Sequence, residues 1–237
     1  MAGIEIRALT KSYDLDGETL RVLRGVTLSA ATGEITVILG KSGCGKTTLL
    51  RLVGGLEAPD SGRIAFTGRE KTAFVFQEPR LMPWLTVAGN IRFGLRLRER
   101  EPETVRRIIH TVGLNGFERA LPSQLSGGMR QRVALGRALA VSPSFLLMDE
   151  PFAALDAFTR EAMQKELLRV RDETQAGILF VTHSIGEALL LADRIVLLRD
   201  GILSDEISVP FPHPRDNGSQ ALVHLRREIL LSLGNLS

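Results

Sequence analysis

The sequence has only one cysteine, Cys44, among 237 residues. One thiol cannot close an internal disulfide, so we expect a disulfide-free fold that suits a reducing compartment. No run approaches the roughly 18 apolar residues that a membrane-spanning helix needs. The first residues alternate in polarity and lack the apolar core of a secretory signal. If the chain works at a membrane, other chains must therefore supply the spans.

A strong excess of charge of either sign is also lacking. The 30 basic and 27 acidic residues leave a formal charge of +3, which is too even to indicate nucleic-acid binding by electrostatics. Hydrophobic residues make up 44% of the chain, as in an ordinary globular protein with a buried core. The length predicts one large domain or one and a half.

A glycine-rich loop is the most specific local pattern. Residues 40–48 are GKSGCGKTT, which fits the phosphate-binding pattern GxxxxGK[ST] at every fixed position. Residues 34–39 predict a buried strand before the loop, and residues 47–53 favour a helix after it. Backbone N–H groups in such a loop surround phosphate oxygens, and the helix N-terminus adds partial positive charge. We therefore predict a nucleotide site rather than an ordinary glycine-rich turn.

Within this loop the residue types indicate separate tasks. Lys46 is expected on the β- and γ-phosphates, and the Thr47 hydroxyl is expected to help hold Mg²⁺. The predicted nucleotide-binding residues of the loop are Gly40, Lys41, Ser42, Gly43, Cys44, Gly45, Lys46, Thr47 and Thr48.

Three other predicted strands end in polar side chains. Residues 145–150, FLLMDE, predict a strand that ends in Asp149 and Glu150, and Gln77 and His183 follow strands predicted at 72–76 and 178–182. Ligands gather at strand ends in α/β sheets. Asp149 is expected to hold Mg²⁺, and Glu150, on the opposite side of the pleat, to polarise an attacking water. The alternative is a pair of solvated strand-end acids.

The remaining elements follow from periodicity and capping signals. Residues 4–9 predict an edge strand and 26–29 a strand antiparallel to it, followed by strands at 63–67, 194–198 and 202–207. Helical pattern covers 81–121, with Thr86 as N-cap and Pro102 opening a second helix. Further helices are predicted from about Gly127, at 157–173 and at 219–233, and residues 210–214 are the one linker-like segment.

Two features leave alternatives open on the residues alone. Tyr13, the only tyrosine, either stacks on a nucleotide base or covers a strand end at the surface. The basic cluster formed by Arg92, Arg96, Arg98 and Arg100 is either a solvated helix face or a contact for a partner protein or anionic lipid.

A second glycine motif completes the set. Residues 125–132 are LSGGMRQR, where Ser126, Gly127 and Gly128 begin a predicted helix and form a second potential anion site. This motif closely resembles the signature of the nucleotide-binding subunits of ATP-binding cassette (ABC) transporters. The order of the motifs along the chain also resembles that family: the phosphate loop, Gln77, the signature, the Asp149-Glu150 strand, Asp156 and His183. The resemblance covers about residues 4–207.

The resemblance implies an α/β fold. Its phosphate-loop NTPase core has a mostly parallel sheet flanked by helices, joined by an antiparallel β layer and an inserted α-helical subdomain. Residues of about 1–80 and 143–210 would form the ATP-binding core, 81–142 the helical subdomain, and 211–237 a C-terminal tail.

The family mechanism implies roles at the matching positions. Two subunits would close head to tail around two MgATP, each held by the phosphate loop of one subunit and by Ser126, Gly127 and Gly128 of the other. Tyr13 would stack on adenine, and Asp156 would cross the dimer interface. Lys46, Gln77, Glu150 and His183 would be catalytic, with Mg²⁺ held by Thr47, Gln77 and Asp149.

Residues 77–87 and 149–160 resemble the importer branch for nitrate, sulfonates and taurine. That branch implies a homodimer at the cytoplasmic face of the cell membrane, with two permease subunits, an external solute-binding protein and no nucleic acid. Export, a soluble cassette acting on nucleic acid, and an inactive cassette are the alternatives. Ser184 departs from the family, which usually has Asp after the histidine.

The position of Cys44 supports one further hypothesis. It lies at a helix N-terminus near Lys46, a setting that lowers the pKa of a thiol. We therefore expect a thiol reagent to inhibit ATP hydrolysis and bound MgATP to protect.

Overall fold

The structure, a computed structural model, describes residues 3–68, 71–95, 102–216 and 218–234. Three members of the basic cluster, Arg96, Arg98 and Arg100, lie outside the described residues. The chain forms two compact units: the first comprises Met1–Glu70 and Gly177–Ser237, and the second comprises Lys71–Ala176. The subdomain boundaries predicted at residues 81, 143 and 211 stay a prediction.

The first unit contains two groups of strands. An antiparallel sheet has the order β2-β1-β4, built from β1 (Gly3–Leu15), β2 (Glu18–Ala31) and β4 (Ser61–Thr67). The other group centres on β3 (Ile35–Leu39), which pairs in parallel with β7 (Gly177–Thr182) and β8 (Arg194–Arg199). Strand β9 (Ile202–Ser208) pairs antiparallel with β8. All residues of β3 and β7 are buried, which explains their continuous apolar sequences.

Three helices complete the first unit: α1 (Lys46–Val53), α6 (Ile185–Leu191) and α7 (Gln220–Ser232). Helix α7 begins after the cap Ser219 and buries Leu222 and Ile229, so its predicted amphipathic pattern is confirmed. The proline-rich stretch before it, residues 210–214, is held by hydrogen bonds and is not the linker that the sequence predicted. Arg215 donates hydrogen bonds to the carbonyl oxygens of Leu189, Ala192, Val209 and Phe211.

In the second unit, the described residues 71–95 and 102–176 form two strands and four α-helices. Strands β5 (Thr72–Val75) and β6 (Phe145–Asp149) pair in parallel. The helices are α2 (Val87–Phe93), α3 (Pro102–Thr111), α4 (Gly127–Leu139) and α5 (Ala157–Thr174), with a 3₁₀ turn at Pro122–Gln124. The predicted cap Thr86 is confirmed, because its hydroxyl accepts the N–H of Gly89 at 3.1 Å.

Two predictions about elements are wrong, and one helix was missed. Strand β1 lies between β2 and β4 instead of at an edge, and it extends to Leu15, so Tyr13 is inside a strand. Helix α6 was not anticipated, since it has only seven residues. Strand β6 ends at Asp149, so the pleat does not set the direction of Glu150. The pairing of β1 with β4 joins residues about sixty positions apart, which local alternation cannot reveal.

A helix crosses a bilayer only if it is both long and apolar. Among the residues that the structure describes, no helix is both long and apolar enough to cross a membrane.

Candidate nucleotide-binding site

The phosphate loop, residues 40–47, joins the buried strand β3 to helix α1. At its start the N–H of Gly40 points to the carbonyl oxygen of Thr182 at 3.4 Å, and at its end the N–H of Leu49 bonds to the Gly45 carbonyl at 2.9 Å. The predicted strand, loop and helix are therefore all present. The loop lies at the carboxyl end of a parallel strand, where α/β proteins bind ligands.

Two glycines of the loop are required by close contacts. A Cβ atom on Gly40 would lie 2.3 Å from the Leu198 carbonyl oxygen, and one on Gly45 would lie 2.9 Å from Leu23 Cδ2. Gly45 also has a φ of 104°, in the left-handed region that favours glycine. These positions let the backbone turn sharply into α1.

The side chain of Lys46 lies inside the loop. It is 4% exposed, and its Nζ donates to the carbonyl oxygens of Gly40 and Lys41, each at 2.9 Å. A buried ammonium group is stable only where oxygen atoms surround it. The loop thus carries a fixed positive charge at its centre, which suits a polyphosphate.

The first turn of α1 is open to an anion. Its N-cap is Gly45, which supplies no capping side chain, and the turn contains no acidic residue. Helices α2, α4 and α5, in contrast, are each capped by a side-chain oxygen. The helix dipole favours a negatively charged ligand at this end.

The expectation of a lowered thiol pKa at Cys44 is wrong. Burial raises the pKa of Cys44, and this effect exceeds the lowering by the nearby Lys46 charge and by backbone hydrogen bonds. The half-buried side chain lines a cavity of about 170 Å³ together with Lys41, Leu198, Arg199, Asp200 and Leu233. The helix N-terminus alone therefore does not produce a reactive thiolate here.

His183 follows β7 directly and is exposed. Because the preceding residue, Thr182, meets Gly40 through the backbone, His183 lies at the edge of the first unit that carries the phosphate loop. The neighbouring Ser184, where the family usually has Asp, caps α6 by accepting the N–H of Glu187 at 3.3 Å. Serine thus fills the capping role without an added negative charge.

Tyr13 lies beside helix α1. Its hydroxyl donates to the Glu57 carboxylate and also hydrogen-bonds the side chain of Thr48. Burial and then the Glu57 carboxylate raise the pKa of Tyr13. Lys11 Nζ lies 5.4 Å from the ring centroid. The aromatic ring is therefore fixed next to the residues that follow the phosphate loop.

In the second unit, Asp149 and Glu150 lie at the end of β6, and both are half-buried. Glu150 has a φ of 42°, which is unusual for a residue with a side chain. Its carbonyl oxygen accepts the N–H of Ala153 at 3.1 Å, which closes a turn just after the strand. Strained backbone of this kind is common at functional sites.

Gln77 is exposed two residues beyond the end of β5, in a segment (residues 76–80, the glutamine loop) that helix α4 holds in place. Gln131, only 2% exposed, donates to the Phe76 carbonyl oxygen at 3.3 Å. Arg137 donates to the carbonyl oxygens of Pro79 and Arg80 at 2.9 and 2.8 Å. The glutamine loop is thus fixed to the helix that begins with the signature motif.

Helix α4 begins where the signature motif predicts. Ser126 is its N-cap and accepts the N–H of Met129 at 3.2 Å, while Gly127 and Gly128 form the first two helical positions. Ser126 and Gly127 are exposed, and Gly128 is buried. The exposed start of this helix can receive an anionic group.

Asp156 caps helix α5. Its Oδ1 accepts the N–H of Thr159 at 3.0 Å, and its Oδ2 accepts the Thr159 hydroxyl at 2.6 Å. These two hydrogen bonds lower the pKa of Asp156. The carboxylate therefore stays ionised at neutral pH.

Side chains with oxygen atoms of the kind that bind Mg²⁺ occur in both units. Mg²⁺ is usually held by one or two carboxylates, a hydroxyl and the substrate phosphates. Thr47, Gln77 and Asp149 supply side-chain oxygens of this kind. No group of three or more His, Cys, Asp or Glu side chains within the described ranges is placed to hold a metal ion by itself.

Several residues that organise these segments were not anticipated from the sequence. Gln131, Arg137 and Thr159 act through contacts with segments far away in the chain or around a helix end. Gln131 belongs to the signature motif and Thr159 to the quoted stretch 149–160, but neither motif shows which distant segment these side chains contact.

Comparisons with known proteins agree with this geometry. The family model described as ABC transporter matches residues 23–153. The chain is 48% identical over 214 residues to an aliphatic sulfonates import ATP-binding protein, SsuB 1, of Pseudomonas syringae pv. syringae, covering 90% of each chain. It is 42% identical to an uncharacterized ABC transporter ATP-binding protein of Methanocaldococcus jannaschii, covering 96% of this chain and 90% of that protein.

A solved structure of an ATP-binding cassette is similar to this chain. The dimeric post-hydrolysis structure of the ATP-binding cassette MJ0796, bound to ADP and Pi, matches with a TM-score of 0.76 and 31% identity. The match covers 88% of this chain and 100% of that one.

The strand, glycine loop and helix, with a buried lysine inside the loop, define a phosphate-loop ATPase with an α/β fold. The chain belongs to the ABC transporter family. It is an ATP-binding cassette ATPase, and the family assignment predicted from its motifs is confirmed.

Proposed function

We propose that this chain is the ATP-hydrolysing subunit of an importer for a small organic anion of the sulfonate class. The supporting observation is the 48% identity, over 90% of both chains, to an ATP-binding protein named for aliphatic sulfonate import. The same name occurs for relatives from several other bacteria at 38–47% identity.

In the proposed mechanism the phosphate loop binds the triphosphate. Lys46 lies at the centre of the loop and neutralises charge on the β- and γ-phosphates, while the open N-terminus of α1 supplies N–H donors. Tyr13, fixed beside α1, offers its ring face to adenine. Binding energy thus comes mainly from charge and backbone geometry.

Catalysis is assigned to side chains at the strand ends. Glu150 accepts a hydrogen bond from the attacking water, Gln77 orients that water, and His183 donates to the γ-phosphate. Thr47, Gln77 and Asp149 would hold Mg²⁺, which when bound neutralises phosphate charge. The turn after β6 holds the backbone of Glu150 through its carbonyl oxygen, which accepts the N–H of Ala153.

The working unit is proposed to be a homodimer. The solved cassette MJ0796 is dimeric, and Ser126, Gly127 and Gly128 form an exposed helix start that suits an anion bound by a second subunit. One ATP would then connect the phosphate loop of one subunit with the signature motif of the other. Hydrolysis to ADP and phosphate would loosen that connection and release the subunits.

The second unit has a surface of exposed apolar side chains that suits contact with a membrane-embedded partner protein. Four large apolar side chains are exposed there, namely Trp84 at 72%, Phe93 at 57%, Phe117 at 45% and Leu121 at 37%. Backbone hydrogen bonds from Val87 to Ala120 and from Ala88 to Glu118 hold their two segments side by side. Exposed apolar groups of this kind mark protein contacts. We assign this surface to two permease subunits, which places the chain at the cytoplasmic face of the membrane, with an external binding protein delivering the solute.

A growth experiment tests the transported class. A strain lacking this chain is grown with taurine, an alkanesulfonate, nitrate or sulfate as the single sulfur or nitrogen source. The proposal predicts loss of growth on a sulfonate alone, restored by the wild-type chain and not by Lys46→Ala. Normal growth on every sulfonate, in a strain without a redundant importer, would show that the solute belongs to another class or that the chain serves export.

A further inference from the structure

The side chain of Thr159 makes two unlike contacts at the start of helix α5. Its hydroxyl donates to Asp156 Oδ2 at 2.6 Å, in addition to the capping bond from its backbone N–H to Oδ1 at 3.0 Å. An N-cap needs only one side-chain oxygen, as Ser126 shows at the start of α4. The second bond therefore fixes the orientation of the carboxylate beyond what helix capping requires.

The methyl group of the same side chain faces the signature motif. A Cβ atom built on Gly128 would lie only 2.1 Å from Thr159 Cγ2, so this methyl group fills the space beside the second glycine of the motif. The neighbouring Gly127 has more room, since a Cβ there would lie 3.8 Å from Leu155 Cδ2, an ordinary van der Waals contact. Thr159 thus joins Asp156 to the first turn of α4 through one short side chain.

The segment that leads to Asp156 is also held in place. Arg160 donates to the carbonyl oxygens of Phe152 and Leu155, at 3.4 and 2.8 Å. The N–H of Leu155 bonds to the Phe152 carbonyl at 3.1 Å. With this backbone fixed, the remaining freedom of the Asp156 carboxylate is rotation of its side chain, and the Thr159 hydroxyl removes it.

We propose that Thr159 is a positioning residue for ATP hydrolysis. Through its hydroxyl and methyl it holds the Asp156 carboxylate in a fixed place relative to the N-terminus of α4, so that both approach the second subunit and its nucleotide as one body. This role rests on the proposed function, in which Asp156 and Ser126 both face the other subunit. It adds a residue whose side chain itself contacts no nucleotide.

Three substitutions separate the two contacts. Thr159→Val keeps the methyl contact with Gly128 and removes the hydroxyl, Thr159→Ser keeps the hydroxyl and removes the methyl, and Thr159→Ala removes both. The backbone N–H that caps α5 survives in all three. A change in hydrolysis without a change in melting temperature then reports on positioning instead of folding.

The test uses the full chain and measures steady-state ATP hydrolysis, together with the binding of a fluorescent ATP analogue to the isolated subunit. We expect kcat to fall about tenfold or more in Thr159→Val, because one charge-assisted hydrogen bond in the active dimer is lost. Thr159→Ser should retain kcat within about twofold. Nucleotide affinity of the single subunit should be unchanged in both.

A double-mutant cycle sharpens the result. In an Asp156→Ala background, Thr159→Val should cause no further loss, since the carboxylate that accepts the hydroxyl is already absent. Wild-type kcat in Thr159→Val, or equal losses in Thr159→Val and Thr159→Ser that follow the melting temperature, would overturn the role. If Thr159→Val does not fold, the comparison of Thr159→Ala with Thr159→Ser isolates the hydroxyl, because both variants lack the methyl group.

The proposed function fails in a different way. If the wild-type chain hydrolyses no ATP and Lys46→Ala matches it, the ATPase function fails and the role of Thr159 fails with it. If the wild type is active, Lys46→Ala is inactive and Thr159→Val is normal, only the role of Thr159 is wrong.

Discussion

At the signature motif, Gly128 lies against the methyl group of Thr159. This close contact allows the effect of a substitution at Gly128 on stability to be predicted. Replacing this glycine with alanine places a Cβ atom 2.1 Å from Thr159 Cγ2, far inside normal contact distance. Thr159 cannot rotate away without losing its hydroxyl bond to Asp156. Either Thr159 rotates and gives up this hydrogen bond, or the backbone of α4 or α5 moves to make room.

The size of the effect follows from two opposing contributions. Overpacking of a buried site costs about 1–3 kcal/mol, and glycine to alanine in a helix recovers about 0.5–1 kcal/mol. The net loss of stability for Gly128→Ala is then at most about 2.5 kcal/mol, with a midpoint of about 1 kcal/mol. For a chain of this length each kcal/mol lowers the melting temperature by about 2–4 °C. We expect a fall of about 2–5 °C at the midpoint and of at most about 10 °C.

The neighbouring glycine is a matched control. A Cβ atom on Gly127 would meet Leu155 Cδ2 at 3.8 Å, an ordinary van der Waals contact. Gly127→Ala should therefore melt at or above the wild-type temperature in the same calorimetric or circular-dichroism experiment. The double variant Gly128→Ala/Thr159→Ser, which removes the obstructing methyl group, should regain most of the loss. A Gly128→Ala protein as stable as Gly127→Ala would refute the reasoning.

Two further predictions concern buried side chains in each unit. Asn90 is fully buried, accepts the N–H of Met82 at 2.9 Å and donates its amide to three carbonyl oxygens. Asn90→Ala leaves these backbone groups without partners and should lower the free energy of unfolding by about 2–4 kcal/mol. Urea unfolding measures this change, with Asn115→Ala at an exposed position as the control. Equal unfolding midpoints for the two variants would contradict the prediction. Burial raises the pKa of Cys44, so its alkylation by iodoacetamide at neutral pH should be slower than in the urea-unfolded chain and should rise with pH. Alkylation as fast in the folded chain as in the unfolded one would show that the thiol is activated.

Local patterns predicted much of the site. The phosphate loop needs glycines at fixed positions because its backbone passes close to other segments, and those glycines are visible as a motif. Helix starts at Thr86, Ser126 and Asp156 were predictable because capping involves residues only three apart.

Contacts between segments that are distant in the chain could not be predicted from local sequence patterns. The central place of β1 depends on pairing with β4, and the support of the glutamine loop depends on Gln131 and Arg137 from α4. The raised pKa of Cys44 depends on burial, which the motif does not encode. Each of these is set by which segments meet in the folded chain.

ATP-dependent dimerisation is the most direct test of the account, because a shared nucleotide is its central claim. Glu150→Gln should bind ATP without hydrolysing it, so sedimentation of this variant should show a species of about twice the 26.0 kDa chain mass with ATP and a single chain with ADP. Lys46→Ala, combined with Glu150→Gln, should remain a single chain with either nucleotide. Glu150→Gln that binds a fluorescent ATP analogue but sediments as a single chain would contradict the account.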